Sequence, residues 1–185
     1  TLDALIVGAG FSGLYMLHKL RQDGFSAHVV EKGSGVGGTW FWNRYPGARC
    51  DIPSIEYSYS FDPELEAEWR WTERYAAQPE ILRYLEHVAD RFDLNRDISF
   101  NTLVTTARWD EHRGRWLVET DGGDSYVDAL VAAGLLWRRR LDEHVRALDF
   151  GGVEVVHRDV EDLVAIVRDV GAEDLAHDRP TSYAV

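Results

Sequence analysis

The chain has 185 residues and a formal net charge of −12, which is length for one domain with a real core and too little for two large ones. Its acidity repels phosphate backbones and anionic membranes, which argues against nucleic acid or a membrane surface as a partner, and its lone cysteine, Cys50, excludes an internal disulfide or a cysteine-based metal cluster and fits a reducing cytoplasm. No apolar run approaches a membrane span, no secretory leader opens the chain, and a first residue of Thr1 in place of Met suggests a trimmed or processed start.

In chain order, Ala4-Leu5-Ile6-Val7 reads as a short buried strand, and Gly8-Ala9-Gly10-Phe11-Ser12-Gly13 follows it without a spacer. Gly8 suits a tight turn, Gly10 a close backbone approach to a pyrophosphate, and Gly13 tight packing of helix on strand. The spacing predicts a helix over 12–22 with Leu14, Leu17 and Leu20 toward the sheet and Gly24 at its end. Its first-turn N–H groups and dipole form an anion site. A second strand over 27–30 closes with Glu31, placed to accept hydrogen bonds from a ribose 2′-OH, which favours FAD or NAD over NADP at this turn. A glycine turn alone is a weak signal. The strand before it, the helix after it and the acid about 20 residues on raise nucleotide binding above a plain structural turn.

Residues 32–51 have neither helical nor strand period and read as a long functional loop. On composition alone, a glycine-rich loop packed down by Trp40, Phe41 and Trp42 and a loop that cradles a planar cofactor are equally good readings. Three runs sharpen this: the glycine turn 8–13, the stretch Gly37-Gly-Thr-Trp-Phe-Trp-Asn-Arg-Tyr-Pro-Gly-Ala-Arg-Cys-Asp51 followed by Ser54-Ile-Glu-Tyr57, and Trp71-Thr-Glu-Arg-Tyr-Ala-Ala-Gln-Pro-Glu-Ile-Leu-Arg-Tyr84. Together they resemble the N-terminal FAD region of the Baeyer–Villiger monooxygenases, nearest to the phenylacetone and cyclohexanone type, over residues 1–134.

The resemblance implies that Gly8, Gly10, Ser12 and Gly13 hold the FAD diphosphate and Glu31 the adenosine ribose, while Gly38, Thr39, Trp40, Phe41 and Trp42 line the flavin. It implies that Asp51 and Tyr57 lie beside the flavin, that Arg49, Cys50 and Asp51 also meet the nicotinamide cofactor, that the Val104 backbone meets the adenine, and that Gly134 returns the chain to the FAD. Arg49 and Asp51, two apart in an extended loop, can also face the same way as a local charge pair, whose bland reading is a surface salt bridge of little worth. With the resemblance, both are expected to serve the catalytic site.

Residues 52–75 mix aromatics with turns at Pro53 and Pro63, and read as a cover in which Trp69 and Trp71 are core. An amphipathic helix is expected over 78–92, with Pro79 in its first turn, an apolar stripe of Ile81, Leu82, Leu85, Val88, Ala89 and Phe92, and His87 as a solvated residue off that stripe. Strand-like runs at 98–103, 105–109 and 116–120 suggest a β-meander over 98–124, and 125–134 a buried parallel strand. Beyond Gly134 the resemblance ends, without a second glycine turn for NADPH. There Leu141, Val145 and Leu148 suggest a short helix, 153–156 a strand and 159–171 a last helix, while Arg138, Arg139 and Arg140 read as a solvated charge run.

The expected architecture is α/β: a doubly wound, Rossmann-like FAD-binding domain (1–134) with a β-meander and a divergent C-terminal βα segment (135–185) that lacks the family's NADPH domain. The activity implied by resemblance is NADPH-dependent and flavin-based, taking a ketone and O₂ to an ester or lactone through a peroxyflavin, with Arg44 and Arg49 the candidates for positive charge near it. The rival readings are a truncated FAD-binding module without turnover and an interaction protein that has lost flavin. Loss of an NADPH domain would bare an apolar face, so a partner chain or self-association is expected to cover it. No metal site is expected, and the location is expected to be cytoplasmic.

Overall fold

The computed structural model of the chain describes residues 2–132 and, beyond them, 147–149 and 154–156. Strand β1 (Leu2–Val7), helix α1 (Phe11–Gln22) and strand β2 (Ala27–Val30) form one unit in which β1 and β2 run parallel, Ala4 opposite Ala27 through Val7 opposite Val30. Leu14, Leu17 and Leu20 of α1 are buried, as the spacing predicts. The helix stops where Gly24 takes a positive φ of 87° and the Phe25 N–H returns to the Leu20 carbonyl.

The remaining elements are α2 (Thr39–Trp42), α3 (Pro63–Glu68), α4 (Gln78–Arg91), β3 (Ile98–Ser99), β4 (Val104–Asp110), β5 (Arg115–Thr120), β6 (Gly123–Ala132), β7 (Ala147–Asp149) and β8 (Glu154–Val156), with 3₁₀ turns at Ser54–Tyr57 and Asn95–Asp97. The strands follow the order β3-β2-β1-β6-β5-β4-β8-β7. Strand β6 spans two environments. Residues from Val127 onward pair parallel with β1, and those from Gly123 to Val127 pair antiparallel with β5.

Strand alternation sends neighbouring side chains to opposite faces. Ala4, Ile6 and Val29 meet Leu14 and Leu17 of α1 and Ile81, Leu85 and Val88 of α4 on one face. Leu5 and Val30 meet Val104, Ala107, Trp116 and Val118 of the antiparallel strands on the other. Each fully buried leucine contributes up to about 1.5–3 kcal/mol, so these two layers dominate the stability of the frame.

Four expectations need correcting. The run 98–103 does not open the meander: β3 is a two-residue parallel edge beside β2, after which Asn101 turns the chain with a φ of 53°. The meander is therefore β4-β5-β6. The loop after Glu31 contains one helical turn, α2, which Gly38 starts with a φ of 52°. Pro63 opens a helix and not merely a turn, because Asp62 Oδ1 caps the Leu65 N–H at 2.7 Å and proline suits the first helical position. Leu148 lies in β7, paired with Val155, because pairing with β8 overrides a short apolar spacing that also fits a helix. The strand expected over 153–156 corresponds to β8, which runs parallel to β4. The helix expected over 159–171 and the arginines 138–140 lie outside the described residues.

Candidate functional site

The parallel strands β2, β1 and β6 end side by side, with the chain leaving β1 toward β2 on one flank and reaching β6 on the other. A ligand crevice forms outside the carboxyl ends of strands at such a switch point. Gly8 begins the turn there with a φ of 99°, and its N–H donates to the Val30 carbonyl at 2.8 Å. Gly10 is the N-cap of α1, no side chain caps the helix and no acid stands in its first turn. That end therefore carries free-facing N–H dipoles and no acid in the helix's own first turn, the electrostatics of an anion site. Ser12 is half-buried and Gly13 buried in the same turn.

Glu31, at the end of β2, is buried, and its two carboxylate oxygens hold two loops together. Oε2 accepts from the Ala9 N–H at 2.8 Å and Oε1 from the Gly33 N–H at 2.7 Å. A carboxylate offers about four acceptor positions, so this bridge leaves capacity for a ribose hydroxyl. The second loop then folds onto the first. The Gly37 N–H donates to the Ala9 carbonyl at 2.9 Å, and a β-carbon built on Gly38 would lie 2.9 Å from the Gly10 Cα. Gly10 and Gly38, distant in sequence, thus meet backbone to backbone, an approach that requires glycine at 38, whereas a β-carbon on Gly10 would meet Gly38 at an ordinary 3.5 Å.

Beyond this junction α2 splits its aromatics. Trp40 is buried, with its ring edge-on to Tyr57 at 5.6 Å, whereas Trp42 is exposed and edge-on to the half-buried Phe41 at 5.0 Å. Thr39 is exposed. Tyr57 also packs edge-on against Phe11 in the first turn of α1, 5.4 Å away. Burial pushes the Tyr57 hydroxyl pKa up, and the neighbouring Asp51 and Cys50 add to the effect. Asp51 is thus near enough for its charge to act on the Tyr57 hydroxyl.

Arg49 departs from the expected pairing with Asp51. Its Nη1 donates to Glu73 Oε2 at 3.1 Å and to the Tyr75 carbonyl at 3.0 Å, because residue 49 bridges antiparallel to Ala77 and its side chain follows that segment. Arg44 folds back on α2, with Nε donating to the Phe41 carbonyl and the guanidinium 4.7 Å from the Phe41 ring. Cys50 is buried and free, 3.9 Å from Ser54 Oγ. Val104 is buried at the start of β4 in the cluster that contains Leu5 and Val30. Gly134 lies outside the described residues.

The sequence reading missed the residues that fasten the loop. Gln78 donates from its side-chain amide to the Trp40 carbonyl and from its backbone to the Ala48 carbonyl. Ser54 Oγ donates to the Glu73 carbonyl and accepts the Ala76 N–H, each at 2.7 Å. Glu80 accepts both the Thr72 N–H and hydroxyl, and Tyr59 donates to the Phe11 carbonyl at 2.6 Å. The one available signal was polar residues in the first turn of a strongly amphipathic helix, Gln78 and Glu80, where free N–H groups and nearby loops need acceptors. His87 also differs from expectation: it is half-buried, its ring 5.5 Å from that of Trp69 and its Nε2 3.5 Å from Glu68.

A separate hollow of about 650 Å³, lined among others by Leu2, His18, Phe25, His28 and Phe92, opens at the opposite, N-terminal ends of β1 and β2. Its arginines are already engaged, Arg21 with Asp97 and Arg96 with Asp93. Among the described residues no group of three or more His, Cys, Asp or Glu side chains is gathered to hold a metal ion, and no helix is long and apolar enough to cross a membrane.

Residues 6–69 match the family model of an NAD(P)-binding Rossmann-like domain. Acetone monooxygenase (methyl acetate-forming) of Gordonia sp. (strain TY-5) is 47% identical over 160 residues, 85% of this chain and 30% of that protein. Cyclohexanone 1,2-monooxygenase of Acinetobacter sp. is 39% identical over 137 residues, 72% of this chain and 25% of that protein. The homologues of this chain are Baeyer–Villiger monooxygenases. Solved structures agree. A steroid monooxygenase bound to NADP is 61% identical with a TM-score of 0.68, covering 71% of this chain and 26% of that one. A closed form of cyclohexanone monooxygenase is 43% identical with a TM-score of 0.71, covering 80% and 27%. The chain thus spans about a quarter to a third of the length of these Baeyer–Villiger relatives. The match with acetone monooxygenase covers more than 134 residues, so part of it falls beyond the point where the sequence reading ends the likeness.

Proposed function

We propose that this chain is the FAD-holding portion of a Baeyer–Villiger-type monooxygenase that uses NADPH and O₂ to convert a ketone to an ester or lactone. The observation that carries the reading is the contact of Gly10 with Gly38, which joins the glycine turn to the Gly-Gly-Thr-Trp-Phe-Trp loop. In this reading Gly8, Gly10, Ser12 and Gly13 hold the diphosphate and Glu31 the ribose, with Val104 and Gly134 approaching the adenine end. Gly38, Thr39, Trp40, Phe41, Trp42 and Tyr57 shape the flavin edge, and Arg49, Cys50 and Asp51 face the nicotinamide. Bound FAD would supply the redox chemistry and the activation of O₂. The chain's own part is to bind and orient. The uncapped α1 terminus and the glycine contact fit a diphosphate, the buried rings exclude water, and Asp51 and Arg49 place charge at the edge. Only Arg49 Nη1 is engaged by Glu73 and Tyr75, and a guanidinium carries five N–H donors, so it retains capacity toward a ligand.

The second reading is a FAD-binding module that holds the flavin without turnover. The exposed Trp42, Tyr45, Ile52, Ile55 and Tyr75 around the flavin edge support its being covered by a partner chain or a second copy, and the buried, unpaired Cys50 fits the cytoplasm. The test is an absorption spectrum of protein mixed with FAD, desalted and then given NADPH. Retained flavin bands at one FAD per chain are expected. Their bleaching by NADPH faster than that of free flavin favours the enzyme, their persistence the module, and a colourless protein overturns both.

A further inference from the structure

We propose that Tyr59 is a positioning residue for the anion-binding first turn of α1, acting through the peptide that joins Phe11 to Ser12; the inference rests on the reading of that turn as the FAD diphosphate site. The Tyr59 hydroxyl donates to the Phe11 carbonyl at 2.6 Å. That carbonyl and the Ser12 N–H belong to one planar peptide unit and point in opposite directions. A donor on the carbonyl side therefore does two things to the N–H side. It fixes the tilt of the plane, and so the direction in which the Ser12 N–H points. It also polarises the unit, which strengthens that N–H as a donor in the cooperative sense. The Ser12 N–H is one of the first-turn groups that lack an acceptor within the helix.

Tyr59 is itself held in place. Its backbone N–H donates to Tyr84 Oη at 2.7 Å, and Tyr84 is fully buried on α4. The Tyr59 ring lies 5.4 Å from Phe11, 6.2 Å from Tyr15 and 5.2 Å from Phe61. The path runs from the α4 core through residue 59 to the helix terminus, so the dipolar end of α1 is set by a residue 48 positions away. The ring contacts would survive removal of the hydroxyl, which makes the effect separable from packing.

The test is Tyr59→Phe in the full chain, with FAD affinity from quenching of flavin fluorescence and the phosphorus resonances of bound FAD as the second readout. Loss of one net hydrogen bond acting on the site predicts binding about five- to tenfold weaker. The phosphorus resonances should move, and the visible flavin spectrum and far-ultraviolet circular dichroism should not. Unchanged affinity, or weaker binding with unmoved phosphorus resonances, overturns the proposal and leaves the FAD reading standing. If the unsubstituted chain binds no FAD, both fall. Should Tyr59→Phe fail to fold, Tyr84→Phe decides by the same readouts: about twofold weaker binding with moved resonances supports the proposal, and no change overturns it.

Discussion

The glycine turn and the aromatic loop that folds over it are built by different means. From β1 to Glu31 the chain is shaped by local rules: an apolar strand, glycines where φ must be positive, and an apolar stripe on α1. From α2 to the start of α4 there is little regular structure, and position comes from long-range bonds between side chains and backbone, those of Ser54, Tyr59, Gln78 and Glu80. The first region gains its stability from burial, the second from packed rings such as Trp40 and Trp69 together with satisfying polar groups that the fold has removed from water. Net hydrogen bonds are individually small, yet leaving a buried partner unmade is costly, so the second region should fail through single polar substitutions and the first through backbone or core changes.

The largest effect is expected where the two regions touch. Gly38→Ala places a β-carbon 2.9 Å from the Gly10 Cα at a φ of 52°, and neither backbone can yield without moving the turn. Left-handed backbone costs a non-glycine residue about 1–2 kcal/mol, and the clash adds a comparable amount, for a total of about 3 kcal/mol; where the turn shifts to relieve it, restoring the site on binding costs up to that much, or up to roughly a hundredfold in FAD affinity. A titration of Gly38→Ala that matched the parent within a factor of two would mean the junction is not part of the site. A second strong effect should come from alkaline pH. Burial pushes the Tyr84 hydroxyl up to about 12 from 10. The unfolded chain then ionises first, binds fewer protons than the native one, and stability falls between pH 10 and 12, by up to about 3 kcal/mol for two pKa units. Tyr84→Phe should lessen that decline in urea midpoints measured across the interval, with the buried Tyr59, whose hydroxyl burial also pushes up, carrying the rest; an unaltered decline would assign it wholly elsewhere.

The same division explains what the residues disclosed beforehand. Leu14, Leu17 and Leu20 declare α1 because their spacing alone fixes the buried face, and Ile81, Leu85 and Val88 do so for α4. The glycine turn and Glu31 declare a nucleotide site because the chemistry is written in adjacent residues. Strand β3 was misread because an apolar run does not say which strand it joins, and the bonds that decide it, from Asn101 to Gly33 and from Thr102 to Glu31, cross some seventy residues. The cap of α3 was legible in Asp62-Pro63 and overlooked among turn signals. Spacing alone allows Arg49 a charge pair with its neighbour Asp51, while the partner it finds, Glu73, lies 24 positions on. Neither Tyr59 nor Ser54 shows its bonding role in its neighbours, because their partners are backbone groups that only the finished fold brings near.

An intermediate effect should follow Ser54→Ala. Ser54 is buried, and its hydroxyl serves the Glu73 carbonyl and the Ala76 N–H together. Removing it leaves a donor and an acceptor unmade in the segment that anchors residues 48–54 to 73–78, at a cost of about 2 kcal/mol. In a chain of this size that is a drop in melting temperature of about 4–8 °C. Ser54→Cys, which keeps a weak donor in nearly the same volume, should lose less. Equal losses for the two variants would point to packing in place of hydrogen bonding and would erase the contrast between the regions at this position.

The smallest effect is expected at Arg49. Its partner Glu73 is as exposed as Arg49 itself, about half of each side chain facing solvent. An exposed pair gains little Coulomb energy in water, gives up side-chain entropy and is screened by salt, so Arg49→Ala should shift stability by less than about 1 kcal/mol. The Tyr75 carbonyl that loses its donor belongs to a residue with 39% of its surface exposed, so water can replace the guanidinium there at little cost. Melting of Arg49→Ala and Glu73→Gln at low and high salt separates the alternatives. Two small, equal losses that vanish in salt are expected of an ornamental pair beside the site. A salt-insensitive loss above about 2 kcal/mol for Arg49→Ala alone would show that its bond to the Tyr75 carbonyl is a structural strut, and that the aromatic loop draws on a charged fastener as well as neutral ones.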